Sequence, residues 1–256
     1  MAKPIMQIKG LTKKFGGIVA VNDVSFDVGE REIVAVIGPN GAGKTTLFNL
    51  ISSILPQTEG EVWFLGEKIT GKPLHSLAAK GLTRTFQNLQ VFENMTVLEN
   101  VMLGAHSKIK TNVLSAGFRL KSAKEDDELA RTLAEGALQK VGMSAYMNQL
   151  AGNLPYGLQK LLELARAIVS EPKLILLDEP MAGLNDGEKA KVADFIVRMK
   201  HEGYSFLFVE HDMTTVMKIA DKIVVIDFGN KIAEGTPEEI KENPKVIAAY
   251  LGEEAV

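Results

Sequence analysis

Hydrophobic positions along the chain fall into short runs and short-period stripes. The runs Ile5–Ile8, Val24–Val28, Ile33–Ile37, Val62–Leu65, Leu174–Leu177, Phe206–Val209 and Ile223–Ile226 read as β-strands. Ile33–Ile37 and Leu174–Leu177 are apolar without interruption, the pattern of parallel strands covered on both faces. Val24-Ser25-Phe26-Asp27-Val28 instead alternates, which predicts a half-exposed antiparallel strand. Between about Gln87 and Gly157 the strand signal fades and helical spacing takes over. Leu129, Leu133, Ala137 and Val141 recur at i+4, and Leu158, Leu161, Leu162, Ala165 and Val169 form a second stripe. The charge run Lys124-Glu125-Asp126-Asp127-Glu128 reads as a solvated helix start. Gly235-Thr236-Pro237-Glu238-Glu239 reads as a turn into a helix, with Thr236 as N-cap, Pro237 at N1 and Glu239 at N3. The expected fold is α/β: an antiparallel N-terminal part and a parallel-sheet core into which a helical segment is inserted.

Composition narrows the classes of function. A length of 256 residues allows one large domain or two small ones. The 46% hydrophobic and 24% charged shares are those of a globular chain, not a disordered one. A net charge of −3 gives no support for nucleic-acid binding or a polybasic membrane surface. The absence of Cys excludes a disulfide framework, Cys-ligated metals and thiol chemistry. The start Met1–Gln7 has no signal-peptide stretch. The most apolar region, Leu161–Leu177, is interrupted by Glu163, Arg166, Glu171, Pro172 and Lys173, so it does not read as a membrane span. Any role at a membrane therefore calls for partner subunits.

The strongest chemical signal is Gly38-Pro39-Asn40-Gly41-Ala42-Gly43-Lys44-Thr45, directly after the apolar strand and before the helical stretch Thr46–Ile54. This is G-x-x-x-x-G-K-[ST] in the strand–loop–helix setting of a P-loop. Its glycines let backbone N–H groups converge on phosphate oxygens, and the helix N-terminus adds its dipole. Lys44 brings a compact cation to β/γ-phosphates, and Thr45 offers a hydroxyl to Mg²⁺. The run Leu174–Leu177 ends in Asp178-Glu179, which places two carboxylates at the C-terminal edge of a parallel sheet, where ligands of open α/β sheets bind. Asp178 would hold Mg²⁺, and Glu179 could polarise an attacking water. Of the four histidines, His75, His106 and His201 stand in polar contexts. His211 follows a strand and could reach a γ-phosphate.

In order and spacing, these residues resemble the ATP-binding subunits of ATP-binding cassette (ABC) transporters over essentially the whole chain. The family's Gln-loop matches Thr85-Phe86-Gln87, and its signature helix matches Leu154-Pro155-Tyr156-Gly157-Leu158-Gln159. Its D-loop matches Ala182-Gly183-Leu184-Asn185, and its switch histidine matches Val209-Glu210-His211-Asp212. The resemblance implies catalytic roles for Glu179, His211 and Gln87, with Thr45, Gln87 and Asp178 around Mg²⁺. It implies ATP contacts for Phe15, which would stack on adenine, for Gly38 to Thr46 (Pro39, Asn40, Gly41, Ala42, Gly43, Lys44, Thr45 and Thr46 in turn), and for Pro155 and Gly157 toward a partner's nucleotide. Without the resemblance, Phe15 reads as a core residue.

Within the family, the chain is most similar to the ATPases of branched-chain (hydrophobic) amino acid importers. Arg84–Gln87 running into Val91–Val101, the helical segment around Gly104–Ala130, and the ending Gly235-Thr236-Pro237, Asn243-Pro244 and Tyr250–Glu253 carry that likeness. Related urea importers and lipopolysaccharide exporters share the ending, and a soluble ABC ATPase is a further alternative. The resemblance implies one ABC ATPase domain over residues 1–256, with 1–86 and 158–256 forming the antiparallel and RecA-like parts and 87–157 the helical subdomain. It also implies a peripheral place on the cytoplasmic face of the cell membrane. The implied partners are permease subunits, a second ATPase subunit and, indirectly, a periplasmic or extracellular substrate-binding protein. Leu89, Val91, Phe92 and Met95, beside Gln87, are the candidates for a docking patch. Two departures stand out: Pro155 replaces the signature Ser, with Leu158 at its Gln position, and Asn185 replaces the D-loop acid.

Overall fold

The structure is a computed structural model that describes residues 4–85, 90–108 and 121–251. In chain order, the elements begin with β1 (Met6–Phe15), β2 (Ile18–Val28), β3 (Ile33–Ile37), α1 (Lys44–Ile51), β4 (Glu59–Phe64), β5 (Glu67–Lys68), α2 (Leu74–Ala78) and β6 (Leu82–Arg84). Then follow α3 (Val97–Gly104), α4 (Lys121–Lys140), α5 (Tyr156–Ile168), β7 (Leu174–Asp178) and α6 (Asp186–His201). The chain ends with β8 (Ser205–Val209), α7 (Met213–Ile219), β9 (Lys222–Asp227), β10 (Asn230–Gly235), α8 (Pro237–Lys241) and α9 (Pro244–Leu251). The chain forms two compact units, one of Met1–Leu77 with Lys173–Val256, the other of Ala78–Pro172.

The first unit carries an antiparallel sheet ordered β2-β1-β4-β5 and a mostly parallel sheet in which β10, β9, β3, β8 and β7 lie side by side. The alternation read in β2 is realised: Val24, Phe26 and Val28 are buried and Ser25 and Asp27 exposed. The uninterrupted runs become β3 and β7, and every residue of β3, β7 and β8 is buried. Sheet strands covered on both faces have no solvent side on which to place a polar residue. Helix α1 starts two residues before the expected Thr46, because Gly43 can take φ 98° and turn the chain straight into it. It ends at Ile51, where the chain leaves helical geometry and Ser53 adopts φ 57°. Strand β10 went unread in the sequence. It is a half-exposed strand paired antiparallel with β9 through the turn residues Phe228 and Gly229, both at positive φ.

The second unit is built around α3, α4 and α5. Thr96 caps α3 in a reciprocal box with Glu99. A Cβ on Gly104 would stand 2.6 Å from the Arg166 carbonyl oxygen, so the close approach of α3 to α5 needs glycine there. The stripe read on α4 is displaced. Ala130, Ala134, Ala137, Leu138 and Val141 are buried, Leu133 is half-buried and Leu129 is 44% exposed. Ala137 and Val141 of the expected stripe are thus buried, and Ala130, Ala134 and Leu138 complete that face in place of Leu129. On α5, Leu161, Leu162, Ala165 and Val169 are buried and Leu158 is half-buried; Lys160 and Glu163 are buried with them, 3.6 Å apart.

Within α3, the buried Asn100 side chain reaches the preceding segment and accepts from the Phe92 amide at 2.9 Å. It donates to the Phe92, Met95 and Thr96 carbonyls at 3.0, 3.4 and 2.9 Å. The Arg166 guanidinium also bonds the Gln90 carbonyl and lies 5.3 Å from the Phe92 ring centroid. Phe92, at 50% exposed, is thus a fixed surface knob, while Val91 and Met95 are half-buried. Leu89 lies outside the described residues. No described helix is long and apolar enough to cross a membrane.

Candidate active site

The P-loop, the acidic pair and His211 come from three neighbouring parallel strands. Strand β8 lies between β3 and β7; Val36 and Asp178 are both in register with Val209. The Glu210 amide donates to the Val36 carbonyl at 3.4 Å, and the Glu179 amide to the Val209 carbonyl at 3.0 Å. Gly38, Glu179 and His211 therefore leave one carboxyl edge within two strand spacings, about 10 Å.

The loop between β3 and α1 is held by backbone contacts that only glycine permits. A Cβ on Gly38 would meet the Ile226 carbonyl oxygen at 1.9 Å, and one on Gly43, at φ 98°, would meet that of Ala20 at 2.3 Å. The Gly229 amide donates to the Ala42 carbonyl at 2.9 Å. Gly41, at φ 75°, faces open space. Lys44 Nζ donates to the Gly38 and Pro39 carbonyls at 2.6 and 2.7 Å, so its ammonium sits in the mouth of the loop. Asn40, Gly41 and Thr45 are exposed and Thr46 half-buried, whereas Pro39 and Ala42 are buried supports. A cavity of about 560 Å³ lies against Pro39–Ala42 and is also lined by Phe228 and Ala248.

Asp178 is buried at the end of β7. Glu179 follows at φ 48°, a conformation that side-chain-bearing residues adopt at a cost of about 1–3 kcal/mol and that clusters at functional sites. The turn is held because the Glu179 amide is bonded to β8 and its carbonyl accepts from Ala182 at 3.1 Å. The His211 side chain is 61% exposed and opens on a second cavity, of about 650 Å³, lined by Asp186, Lys189, Asp212 and Thr214 among others. Lys189 Nζ contacts Asp212 Oδ2 at 2.6 Å. That hydrogen bond holds the Asp212 carboxyl below the usual carboxylate range and raises the Lys189 ammonium, with Asp186 and Glu210 adding to the latter. Asp212 also accepts from the Thr215 amide and so caps α7.

Phe15 is no core residue. It lies at the tip of the β1–β2 hairpin, 47% exposed, with Lys13 Nζ 5.0 Å from its ring centroid. Pro155 is the N-cap of α5 and makes no side-chain cap bond; Gly157 is buried in the first turn. Both belong to the second compact unit. Asn185 is the N-cap of α6: it accepts from the Glu188 amide at 3.0 Å, and Glu188 accepts from the Asn185 amide at 3.1 Å. Gln87 lies outside the described residues. Glu210 was given no role by the sequence motifs, yet its buried carboxylate accepts from the Met181 amide in the acidic turn and from the His211 amide. A charged residue ending the otherwise apolar strand Phe206–Val209 was the available signal.

Residues 21–182 match the ABC transporter family, and residues 230–256 match the branched-chain amino acid ATP-binding cassette transporter family. The chain is 43% identical over 254 residues to the high-affinity branched-chain amino acid transport ATP-binding protein BraF of Pseudomonas aeruginosa, covering 99% of this chain and all of that protein. It is 41% identical, with the same coverage, to the protein LivG of Salmonella typhimurium, which has the same description. Among solved structures, the ADP conformation of an ATP-binding cassette of an ABC transporter superposes with a TM-score of 0.86. It is 33% identical and covers 98% of this chain and 100% of that one. A P-loop, an acidic turn and a histidine on adjacent strands, with full-length likeness to these proteins, establish that the chain belongs to the ABC transporter family, among its branched-chain amino acid transport ATP-binding proteins.

Proposed function

We propose that this chain is the ATP-hydrolysing subunit that powers import of branched-chain amino acids through partner permeases, as a single ABC ATPase domain on the cytoplasmic face of the membrane. The observation that carries the reading is the convergence of the P-loop, Asp178-Glu179 and His211 on one edge of β3, β8 and β7. Loop amides and Lys44 would grip the β- and γ-phosphates, and Phe15 would stack on adenine. Glu179 would take the proton of the water attacking the γ-phosphorus as the bond to the ADP oxygen breaks. His211 would contact the γ-phosphate. Mg²⁺, when bound, supplies charge neutralisation between those phosphates. The Thr45 hydroxyl and the Asp178 carboxylate are hard oxygen donors that suit it, and Gln87 would add an amide oxygen.

ATP would be shared head to tail with a second ATPase subunit, the P-loop of one facing the signature helix of the other. The cargo assignment rests on the match of residues 230–256 and on the full-length relatives. The permeases would dock at the segment around Phe92, which Asn100 and Arg166 hold in place. The test is co-purification of the assembled complex. ATP turnover that depends on the membrane subunits, with a branched-chain amino acid bound to the complex, is the expected result. A different bound solute would overturn the cargo, and turnover indifferent to the membrane subunits would overturn the coupling. Phe92→Asp is expected to leave ATP binding intact and to abolish assembly with the permeases; normal assembly would remove the docking site.

A further inference from the structure

Glu210 is a buried acid with no part in the chemistry above. It is 1% exposed and directly follows β8, immediately before His211. A carboxylate withdrawn from water is tolerated only where donors replace the lost hydration. Here the donors are main-chain amides from two different segments. Oε1 accepts from the Met181 amide at 2.8 Å. Oε2 accepts from the His211 amide at 3.0 Å and the Asp212 amide at 3.3 Å. Met181 lies two residues beyond Glu179, in the turn whose first residue is held at φ 48°. One carboxylate thus joins the backbone carrying Glu179 to the backbone carrying His211.

A second tie lies on the other side of the histidine. Asp212 is bonded at 2.6 Å to Lys189, in the first turns of α6, the helix that follows the acidic turn. Both chain neighbours of His211 are therefore anchored to the segment 181–189. The imidazole between them stays 61% exposed, with Nδ1 3.8 Å from Glu210 Oε2, beyond hydrogen-bond range. The arrangement fixes the main chain of His211 and leaves its side chain free to meet a ligand.

We infer that Glu210 is a positioning residue, a carboxylate clamp that sets the distance between the Glu179 turn and the His211 segment so that both reach the same phosphate. The inference rests on the proposed ATPase reading. Its chemistry favours a carboxylate over the neutral isostere. Glutamine would present an amide N–H to one of the two sets of backbone amides, leaving those donors unpaired. Aspartate would keep the charge and could still accept from the His211 and Asp212 amides, but it is one methylene too short to hold Met181 as well.

The test uses the full-length chain assembled with its partner subunits and compares Glu210→Asp, Glu210→Gln and His211→Ala, singly and combined. Glu210→Asp keeps the charge and the His211 side of the clamp and releases only the Met181 amide. It is expected to lower kcat by about tenfold, and Glu210→Gln by about 10- to 100-fold, with ATP affinity within about twofold of wild type because the P-loop contacts are untouched. In a His211→Ala background the Glu210→Asp change is expected to cost no more than about threefold, since one of the two groups whose separation it sets is gone and only the looser Glu179 turn remains to be felt. A merely structural role would cost the same factor in both backgrounds. Wild-type turnover in Glu210→Asp, or equal losses with and without His211, would overturn the clamp. If Glu210→Gln does not fold, Glu210→Asp decides. Failure of the ATPase reading is separate: it would appear as no turnover in the unsubstituted complex, or as full turnover in Glu179→Gln.

Discussion

Helices α1 and α5 both begin without a side-chain cap, whereas α3, α6, α7 and α8 begin with Thr96, Asn185, Asp212 and Thr236, each accepting from the N3 amide. A capping side chain occupies amides that an anion would otherwise use. The two open ends are the P-loop helix and the signature helix, and they are open by different means. Before α1, Gly43 adopts φ 98° against the Ala20 carbonyl, a geometry closed to any residue with a Cβ. Before α5, Pro155 has ordinary angles, φ −54° and ψ 150°, and its carbonyl accepts from the Leu158 and Gln159 amides at 2.9 and 3.1 Å. It brings neither a hydroxyl nor an N–H to a ligand. The first end is held tightly by its backbone contacts; the second keeps only the amides of its first turn and the helix dipole. Under the proposed head-to-tail pairing, α1 serves this chain's own ATP and α5 serves the partner's. With a different ATPase as that partner, its signature Ser in place, the two sites should be unequal, with this chain's P-loop and Glu179 forming the faster one.

Four measurements test that contrast. Glu179→Gln should retain ATP binding and lower turnover on the order of 10²–10⁴-fold. In the assembled complex it should cost far more than the matching change in the partner ATPase; equal losses would make the two sites equivalent. Gly43→Ala should cost roughly 2–4 kcal/mol of folding stability or disorder the loop, because the added Cβ has no room and the backbone angle is wrong for it. Thermal melting and nucleotide titration together read this out, and an unchanged melt would mean the α1 end is less constrained than its contacts imply. Phe15→Ala should weaken ATP binding by roughly 1–3 kcal/mol with kcat little changed, since stacking is present in ground and transition states alike. Unaltered affinity would remove Phe15 from the adenine site. Pro155→Ser should give α5 an ordinary cap worth about 1 kcal/mol, visible as a rise of roughly 2–4 °C in melting temperature. It should also speed the slower site; no response in turnover would show that the open end of α5 is not where the sites differ.

The parts of this protein that could be read from the chain are those in which residue type meets a local requirement. Glycines at 38 and 43 before Lys44-Thr45 specified a phosphate loop, because few other sequences can make that turn. Thr236-Pro237 with Glu239 specified a capped helix, and the structure forms that box with Pro237 in the first turn. Unbroken apolar runs specified strands covered on both faces. The parts that could not be read depend on what lies opposite. Leu129 and Ala130 fit the α4 stripe equally well on paper, but close helix packing admits alanine and leaves Leu129 exposed. Phe15 passes for a core residue until the hairpin places it at a tip, and Asn185 passes for a lost acid until its side chain is found capping α6.

The chemistry on offer was legible in residue types and spacing: a P-loop, two acids after a strand, and a histidine after another. That these three leave adjacent strands at one level, and that Glu210 joins two of them, depends on the packed fold. Strand order and register are settled by packing between segments far apart in the chain, such as Val36 against Val209 on one side and Val224 on the other. No local pattern carries that information, because the burial that fixes it exists only once both strands are in place.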